Sequence, residues 1–382
     1  MHCQSEAVGG RRRKAHLANA AQRHLRASDG KVGQGSDSEI LANRQRAIGN
    51  RKENITLRSS VLYFLSSTLV LLAALVAKPG DAQAQFTKLR ASFAGTTGYH
   101  LPIWVQKQEG LDKKYGLDLE ILLIAGGSRI IQTLLSGELL LTHSGASTVA
   151  RAGIAGADLV MIATVMNQVN WRIVARKEIR DIKDLVGKKI AIASRGGSSE
   201  LGLQLAFKRW NLDFNKVALL SLGPSPTRMA ALREGVVDAT VFAYPELLIA
   251  TKEGFPVLAD LRPYADLTDT SVVVTRSTLD KQRPLLKRFL QGYVEAIARV
   301  KNHPDSAYRA LSRYTGVSER AALEETRKFY ADSFSEIPRT EANGWRNLIA
   351  TLGKSEAEMA RFLDMSLLDE LQRERFFERL GK

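Results

Sequence analysis

The chain has 382 residues, 45 % of them hydrophobic and 25 % charged, and a formal net charge of +15. That is ordinary globular composition, long enough for two domains of roughly 100–200 residues, and it excludes a wholly disordered chain, a collagen-like fibre and a multi-span membrane protein. Cys3 is the only cysteine, so an internal disulfide, a thiolate metal cluster and cysteine catalysis in the body of the chain are excluded as well.

Much of the basic excess stands at the front. Residues 1–58 hold 12 basic and 5 acidic side chains with little apolar periodicity, the texture of a disordered tail or of a start placed too far upstream. No aromatic platform accompanies this charge, which argues against nucleic acid as a partner. From Val61 to Ala77 run 17 uncharged residues, with Arg58 before them, Pro79-Gly80 after them, and Ala82-Gln83-Ala84 as a small-x-small cleavage site. This is the layout of a secretory signal, the alternative being a retained anchor, which wants about 20 apolar residues. The expected organisation is a disordered extension or mis-assigned start over 1–56 and a signal peptide over 57–84, cleaved near Ala84. The mature, exported, monomeric chain then has 298 residues, a net charge of +8, and His100, His143 and His303 as its histidines. So sparse a set of ligating side chains points to neither a metal nor a cofactor.

Strand and helix alternate through the mature chain. Leu89–Phe93 reads as a strand ended by Gly95-Thr96-Thr97-Gly98, and a helix follows from Leu101 with Pro102 in its first turn. Leu117–Ile124 is a second strand, and Gly126-Gly127-Ser128 a turn with Ser128 as cap of the next helix. Leu139–Thr142 and Asp158–Val165 are further strands, and Trp171–Ala175 is a crossover. The same grammar then returns. Asp181–Val186 is a short helix, Lys189–Ala193 a strand, Ser194–Ser199 a Gly/Ser loop opening a helix, and Val217–Leu220 a strand. Gly223-Pro224-Ser225-Pro226 leads into a helix over Thr227–Glu234, before a strand at Asp238–Phe242 and then Tyr244-Pro245. Ser271–Thr275 is a return strand, and Leu279 onward is mostly helical, with Pro284 opening a long helix and Pro304 and Pro338 separating later ones. Gly137 and Gly235 stand 98 residues apart, as do Gly156 and Gly254, and both pairs precede short strands. The reading is an α/β protein of two similar lobes, each a mainly parallel sheet flanked by helices.

In open α/β sheets ligands bind beyond the carboxyl ends of the strands. The loops there, Gly95–Tyr99, Gly126–Ser128, Ser144–Ser147, Ser194–Ser199 and Gly223–Ser225, are rich in Gly, Ser and Thr. Backbone N–H groups, hydroxyls and helix dipoles suit a polar or anionic head group. None of the five loops holds an acidic residue, which argues against a cationic ligand. No Walker A or Gly-x-Gly-x-x-Gly sequence occurs.

A series of motifs then carries a family resemblance. They are Gly98-Tyr99-His100-Leu101-Pro102-Ile103-Trp104-Val105, Tyr115-Gly116-Leu117-Asp118-Leu119-Glu120, Gly126-Gly127-Ser128, Ala155-Gly156-Ala157-Asp158-Leu159-Val160 and Ile182-Lys183-Asp184-Leu185-Val186-Gly187-Lys188-Lys189-Ile190-Ala191. In this order the chain resembles, over residues 88–350, the nitrate/sulfonate/taurine-type substrate-binding proteins of bacterial ABC transporters, which share a fold with thiamine-pyrimidine precursor synthases. One departure is Gly137-Glu138-Leu139-Leu140, where the family usually carries a second acidic residue. The resemblance implies a type II periplasmic-binding-protein fold with lobe one over 85–175 and 271–382, lobe two over 176–270, and a two-stranded hinge at the crossovers. It implies an exported, periplasmic solute-binding protein, not an enzyme, that captures a small polar or anionic organic molecule between the lobes and meets a membrane permease. The expected wall comprises Thr96, Thr97, Tyr99, His100, Ser128 and Ser144 from lobe one, and Ser194, Gly197, Ser198 and Tyr244 from lobe two, with Trp171 covering apolar surface. Two alternatives remain. One is a synthase-like enzyme, since His100 stands where those synthases carry a functional histidine, although Tyr264–Thr270 lacks their cysteines. The other is a ligand sensor of the same fold.

Overall fold

A computed structural model describes residues 86–125 and 127–380. The expected signal peptide, its cleavage site and the basic extension lie outside the described residues. Among the described residues no helix is long and apolar enough to cross a membrane.

The first sheet is built from β1 (Thr87–Phe93), β2 (Leu117–Leu123), β3 (Leu141–Gly145), β4 (Leu159–Thr164) and β10 (Thr270–Thr275), in the order β2-β1-β3-β10-β4. The second holds β5 (Arg172–Ala175), β6 (Lys189–Ile192), β7 (Ala218–Ser221), β8 (Ala239–Phe242) and β9 (Val257–Asp260), in the order β7-β6-β8-β5-β9. The two orders follow one plan. In each, one strand pairs in parallel with both neighbours, β1 in the first sheet and β6 in the second, and a strand next to a crossover inserts antiparallel, β10 in the first and β5 in the second. β5 therefore belongs to lobe two, and the crossings lie before Arg172 and before Thr270. The first crossing thus lies a few residues ahead of the expected bound at 175, and the second falls at the expected bound near 270. β9 carries no strand signature of its own, because two of its four residues are Ala and Asp, which favour strands poorly.

The two crossovers run side by side. Asp269 N–H donates to Met166 O at 3.0 Å, Val165 N–H to Thr270 O at 2.9 Å, and Leu261 N–H to Trp171 O at 2.9 Å. Backbone bonds between the linking segments make them a paired hinge.

Helices cover both sheets: α1 (Leu101–Gln108), α2 (Gly127–Leu135) and α3 (Ala146–Ile154) in lobe one, then α4 (Ser198–Arg209), α5 (Ser225–Arg233) and α6 (Glu246–Lys252) in lobe two. The C-terminal α7 (Arg283–Asn302), α8 (Pro304–Thr315) and α9 (Arg320–Ser333) return to lobe one. α1 is buried over its first six residues because it lies between the first sheet and these returning helices, with Trp104 stacked on Tyr314 at 5.0 Å. A second apolar cluster runs from Val149 and Met161 through Val169, Trp171 and Leu267 to Phe207 and Val241, so the core continues through the hinge. The glycine pairs spotted in the sequence all have positive φ: 79° and 69° at Gly137 and Gly235, 99° and 81° at Gly156 and Gly254. Each ends a helix where a left-handed turn feeds the next strand, a geometry that glycine adopts without strain.

Candidate functional site

The strand ends of the two sheets face each other across a cavity of about 60 Å³. Tyr99, Ser144 and Trp171 line it from lobe one and the hinge, and Ser194, Gly197 and Ser198 from the loop and first turn that open α4. Six of the eleven residues expected from the sequence thus meet there. Gly127, Ile130, Gly145, Thr148 and Gly223 complete much of the wall. Past Gly127, Ala193, Ser194 and Gly223 the space widens to about 370 Å³ between Arg129 and Arg195.

The other five expected residues lie elsewhere. Thr96 donates to Glu246 Oε1 at 3.2 Å and Thr97 meets Ser225 Oγ at 3.3 Å, so both tie lobe one directly to lobe two. Gly98 N–H reinforces them by donating to Tyr244 O at 3.0 Å, and Tyr330 OH reaches the same oxygen at 3.0 Å. Tyr244 stacks on Phe329 of α9 at 4.6 Å and points its hydroxyl at Glu325, away from the cavity. The Ser128 side chain lies outside the described residues. The helix already starts at Gly127, so Ser128 sits in its first turn and is not its cap.

His100 is fully buried and faces the core, which corrects its expected place in the wall. Its Nε2 accepts Ala94 N–H at 3.2 Å and its Nδ1 lies 2.6 Å from His143 Nδ1, whose Nε2 lies 2.5 Å from Tyr293 Oη. One set of tautomers satisfies this chain: His100 donates from Nδ1, and His143 donates from Nε2 to Tyr293. Burial holds both imidazoles neutral: it lowers His143 to about 3 and, with His143 adding to the effect, holds His100 well below the usual imidazole range.

Sequence reasoning missed the charged groups beside the cavity. Arg228 on α5 is buried and gives its hydrogen bonds to Gly223 O at 3.1 Å, Ser225 Oγ at 2.9 Å, Thr240 Oγ1 at 3.3 Å and Val241 O, with its guanidinium over the rings of Trp171 and Phe242. Burial lowers its pKa to about 10, so it remains charged at neutral pH. Glu246, at the start of α6, is 5 % exposed, and its Oε2 has no hydrogen-bond partner among the described residues. Asp269, in the second crossover, is 3 % exposed, and its Oδ1 is likewise unpartnered. Burial raises each carboxyl to about 7. Arg228, Thr96 and Ser225 pull Glu246 partly back, and the hydroxyls of Ser198 and Thr270 do so for Asp269 without completing a bond to Oδ1. Tyr99 stands among Arg228, Glu246 and Asp269, and burial with the two carboxyls raises its phenol far above neutrality. The acid-free loops therefore misdescribe the surroundings, because both carboxyls come from segments outside them.

The fold recurs in solved structures. The alkanesulfonate-binding protein SsuA from Xanthomonas axonopodis pv. citri, bound to MOPS, superposes with a TM-score of 0.61 at 21 % identity, over 74 % of this chain and 97 % of that one. The periplasmic nitrate-binding protein NrtA from Synechocystis PCC 6803 gives 0.61 at 14 % identity, over 76 % and 89 %. A protein from Bordetella bronchiseptica RB50 gives 0.67 at 15 % identity, over 78 % and 99 %. No curated protein matches significantly in sequence. A family model described as NMT1/THI5 like matches residues 97–307, from the Thr97 contact through all of lobe two to α8. With more than half of its length matched and the two-lobed fold in place, the chain belongs to the NMT1/THI5-like family.

Proposed function

We propose that the protein is the solute-binding component of an ABC importer, exported to the periplasm, which closes its lobes on a small polar organic molecule and presents it to a membrane permease. The observation that carries this reading is the cavity between the lobes, in a fold whose lobes are joined by a paired hinge and by direct hydrogen bonds at Thr96, Thr97 and Gly98. A ligand that bridges the two walls stabilises the closed arrangement over an open one, which is how hinged binding proteins couple capture to shape. The hydroxyls of Ser144, Ser194 and Ser198 and the first turn of α4, whose N–H groups have no intrahelical acceptor, suit a polar or anionic head group. The neighbours' names, alkanesulfonate-binding and nitrate-binding, agree with capture of small solutes. The synthase-like reading has less support, because both ring nitrogens of His100 are engaged inside the core.

The test is retention of a ligand. The protein, equilibrated with a small-molecule extract and analysed by native mass spectrometry, should retain a compound that raises its melting temperature and shrinks its radius in solution scattering. A saturating ligand at 100 times its Kd adds about 2.7 kcal/mol of stability. Retention of nothing, or binding with an unchanged radius, would sink the reading.

A further inference from the structure

We propose that the cavity selects ligands carrying a protonated nitrogen, an ammonium or amidinium group, which hydrogen-bonds Asp269 at the hinge. This rests on the solute-binding reading and adds the chemical class of what is bound.

The buried Oδ1 of Asp269 lacks a partner among the described residues, and an unsatisfied buried carboxylate oxygen is costly enough to need an explanation. Its surroundings supply one. Gly145 lines the cavity, and a side-chain carbon placed on it would come within 3.2 Å of Asp269 Oδ1 and 3.8 Å of Ser198 Oγ. The missing side chain leaves an approach from the cavity to that oxygen. Gly145 has a φ of −71°, so its backbone has no need of glycine and the gap is what distinguishes it. Ser198 Oγ accepts the Trp171 indole N–H at 3.1 Å, which leaves its own proton for an acceptor.

The positive charges nearby do not offset this preference. Arg228 is committed to four acceptors within lobe two, and Arg129 and Arg195 line the outer space. A bare oxyanion reaching the gap at Gly145 would meet the lone pairs of Asp269 Oδ1. A ligand with both poles would set its acid group at the first turn of α4 and its nitrogen at Asp269.

The test uses matched pairs differing in one nitrogen: taurine against ethanesulfonate, β-alanine against propanoate, and propylamine against propanol, by calorimetry and thermal melts near neutral pH. At least one nitrogen-bearing member should bind about tenfold or more tightly than its partner, as a charge-assisted hydrogen bond requires. Asp269→Asn, which keeps the shape, should erase that preference without lowering the melting temperature of the unliganded protein. Gly145→Ala should weaken the nitrogen-bearing member selectively. Equal or tighter binding of the nitrogen-free partners, no binding by any nitrogen-bearing member, or a preference that survives Asp269→Asn would overturn the proposal. A nitrogen-free compound retained from the extract with lobe closure would overturn it and leave the solute-binding reading standing. Retention of nothing there would remove both.

Discussion

Ile130 in α2 and Arg228 in α5 occupy equivalent places in the two lobes, 98 residues apart, and behave oppositely. The same offset relates Gly127 to Ser225, Thr148 to Glu246 and, in the crossovers, Trp171 to Asp269. In lobe one these positions are small or apolar and line the cavity. In lobe two Ser225, Arg228 and Glu246 are polar, buried and tied to one another or to lobe one, and Asp269 in the second crossover is buried with its Oδ1 unpartnered among the described residues. A repeated backbone plan thus makes a symmetric cleft, and the side chains break the symmetry: lobe one gives room, while lobe two gives charge and the contacts that hold the cleft shut.

The largest test of this contrast is on stability. Arg228→Met strands Gly223 O and Val241 O and leaves Glu246 without its counter-charge, and breaking a buried polar network of this kind costs about 3–5 kcal/mol. Ile130→Val at the equivalent site should cost about 0.5–1.5 kcal/mol. Urea denaturation measures both, and near-equal losses would mean that the two lobes do not differ in what holds them together.

The second test is pH. Asp269 and Glu246 have folded pKa values near 7, above their unfolded values, so their contribution is complete at acid pH and is lost as pH rises through 7. His100 and His143 are depressed, so the stability linked to them is present above pH 6.5 and lost as pH falls toward 3, at up to about 1.4 kcal/mol per unit each. Hydrogen exchange in the unliganded protein should show lobe one loosening first in acid, and the hinge and α6 loosening first in base. Asp269→Asn should make the loss on the way up to pH 7 shallower, leaving the part due to Glu246 and the acid limb unchanged. A uniform response across both lobes would break the comparison.

The smallest effect belongs to the closure contacts. Thr97→Val removes the hydroxyl that meets Ser225 and should shift the open–closed balance by about 1 kcal/mol, or roughly fivefold. Weaker ligand binding with an unchanged unliganded melting temperature is the expected outcome. A lowered melting temperature with unchanged affinity would make Thr97 a structural residue only.

Alternation, turn glycines and the two positive-φ pairs made the strand plan readable, because backbone geometry leaves its mark on residue type. The lining residues Ser194, Gly197 and Ser198 were readable for the same reason, as a strand-to-helix loop. Arg228, Glu246 and Asp269 were not, since a buried charge looks in sequence like a solvated one until tertiary packing removes its water. His100 misled in the opposite way. Its place beside the cavity-lining Tyr99 was right, but its ring turns inward to His143, a partner 43 residues away that no local pattern announces.

The sheet order also has a consequence for how the chain acquires its structure. Every strand of the second sheet lies within Arg172–Asp260, and β6 pairs with β8 across 49 residues. The first sheet stays split until β10 arrives between β3 and β4, where it pairs with β3 across 125 to 131 residues. Closing the longer loop is the slower step. Lobe two is therefore the segment able to organise from a contiguous stretch of chain, and lobe one the part whose centre waits for a late strand. Pulse-labelled amide exchange during refolding should protect β6 and β8 before β3 and β10, and the reverse order would contradict this sequence of events.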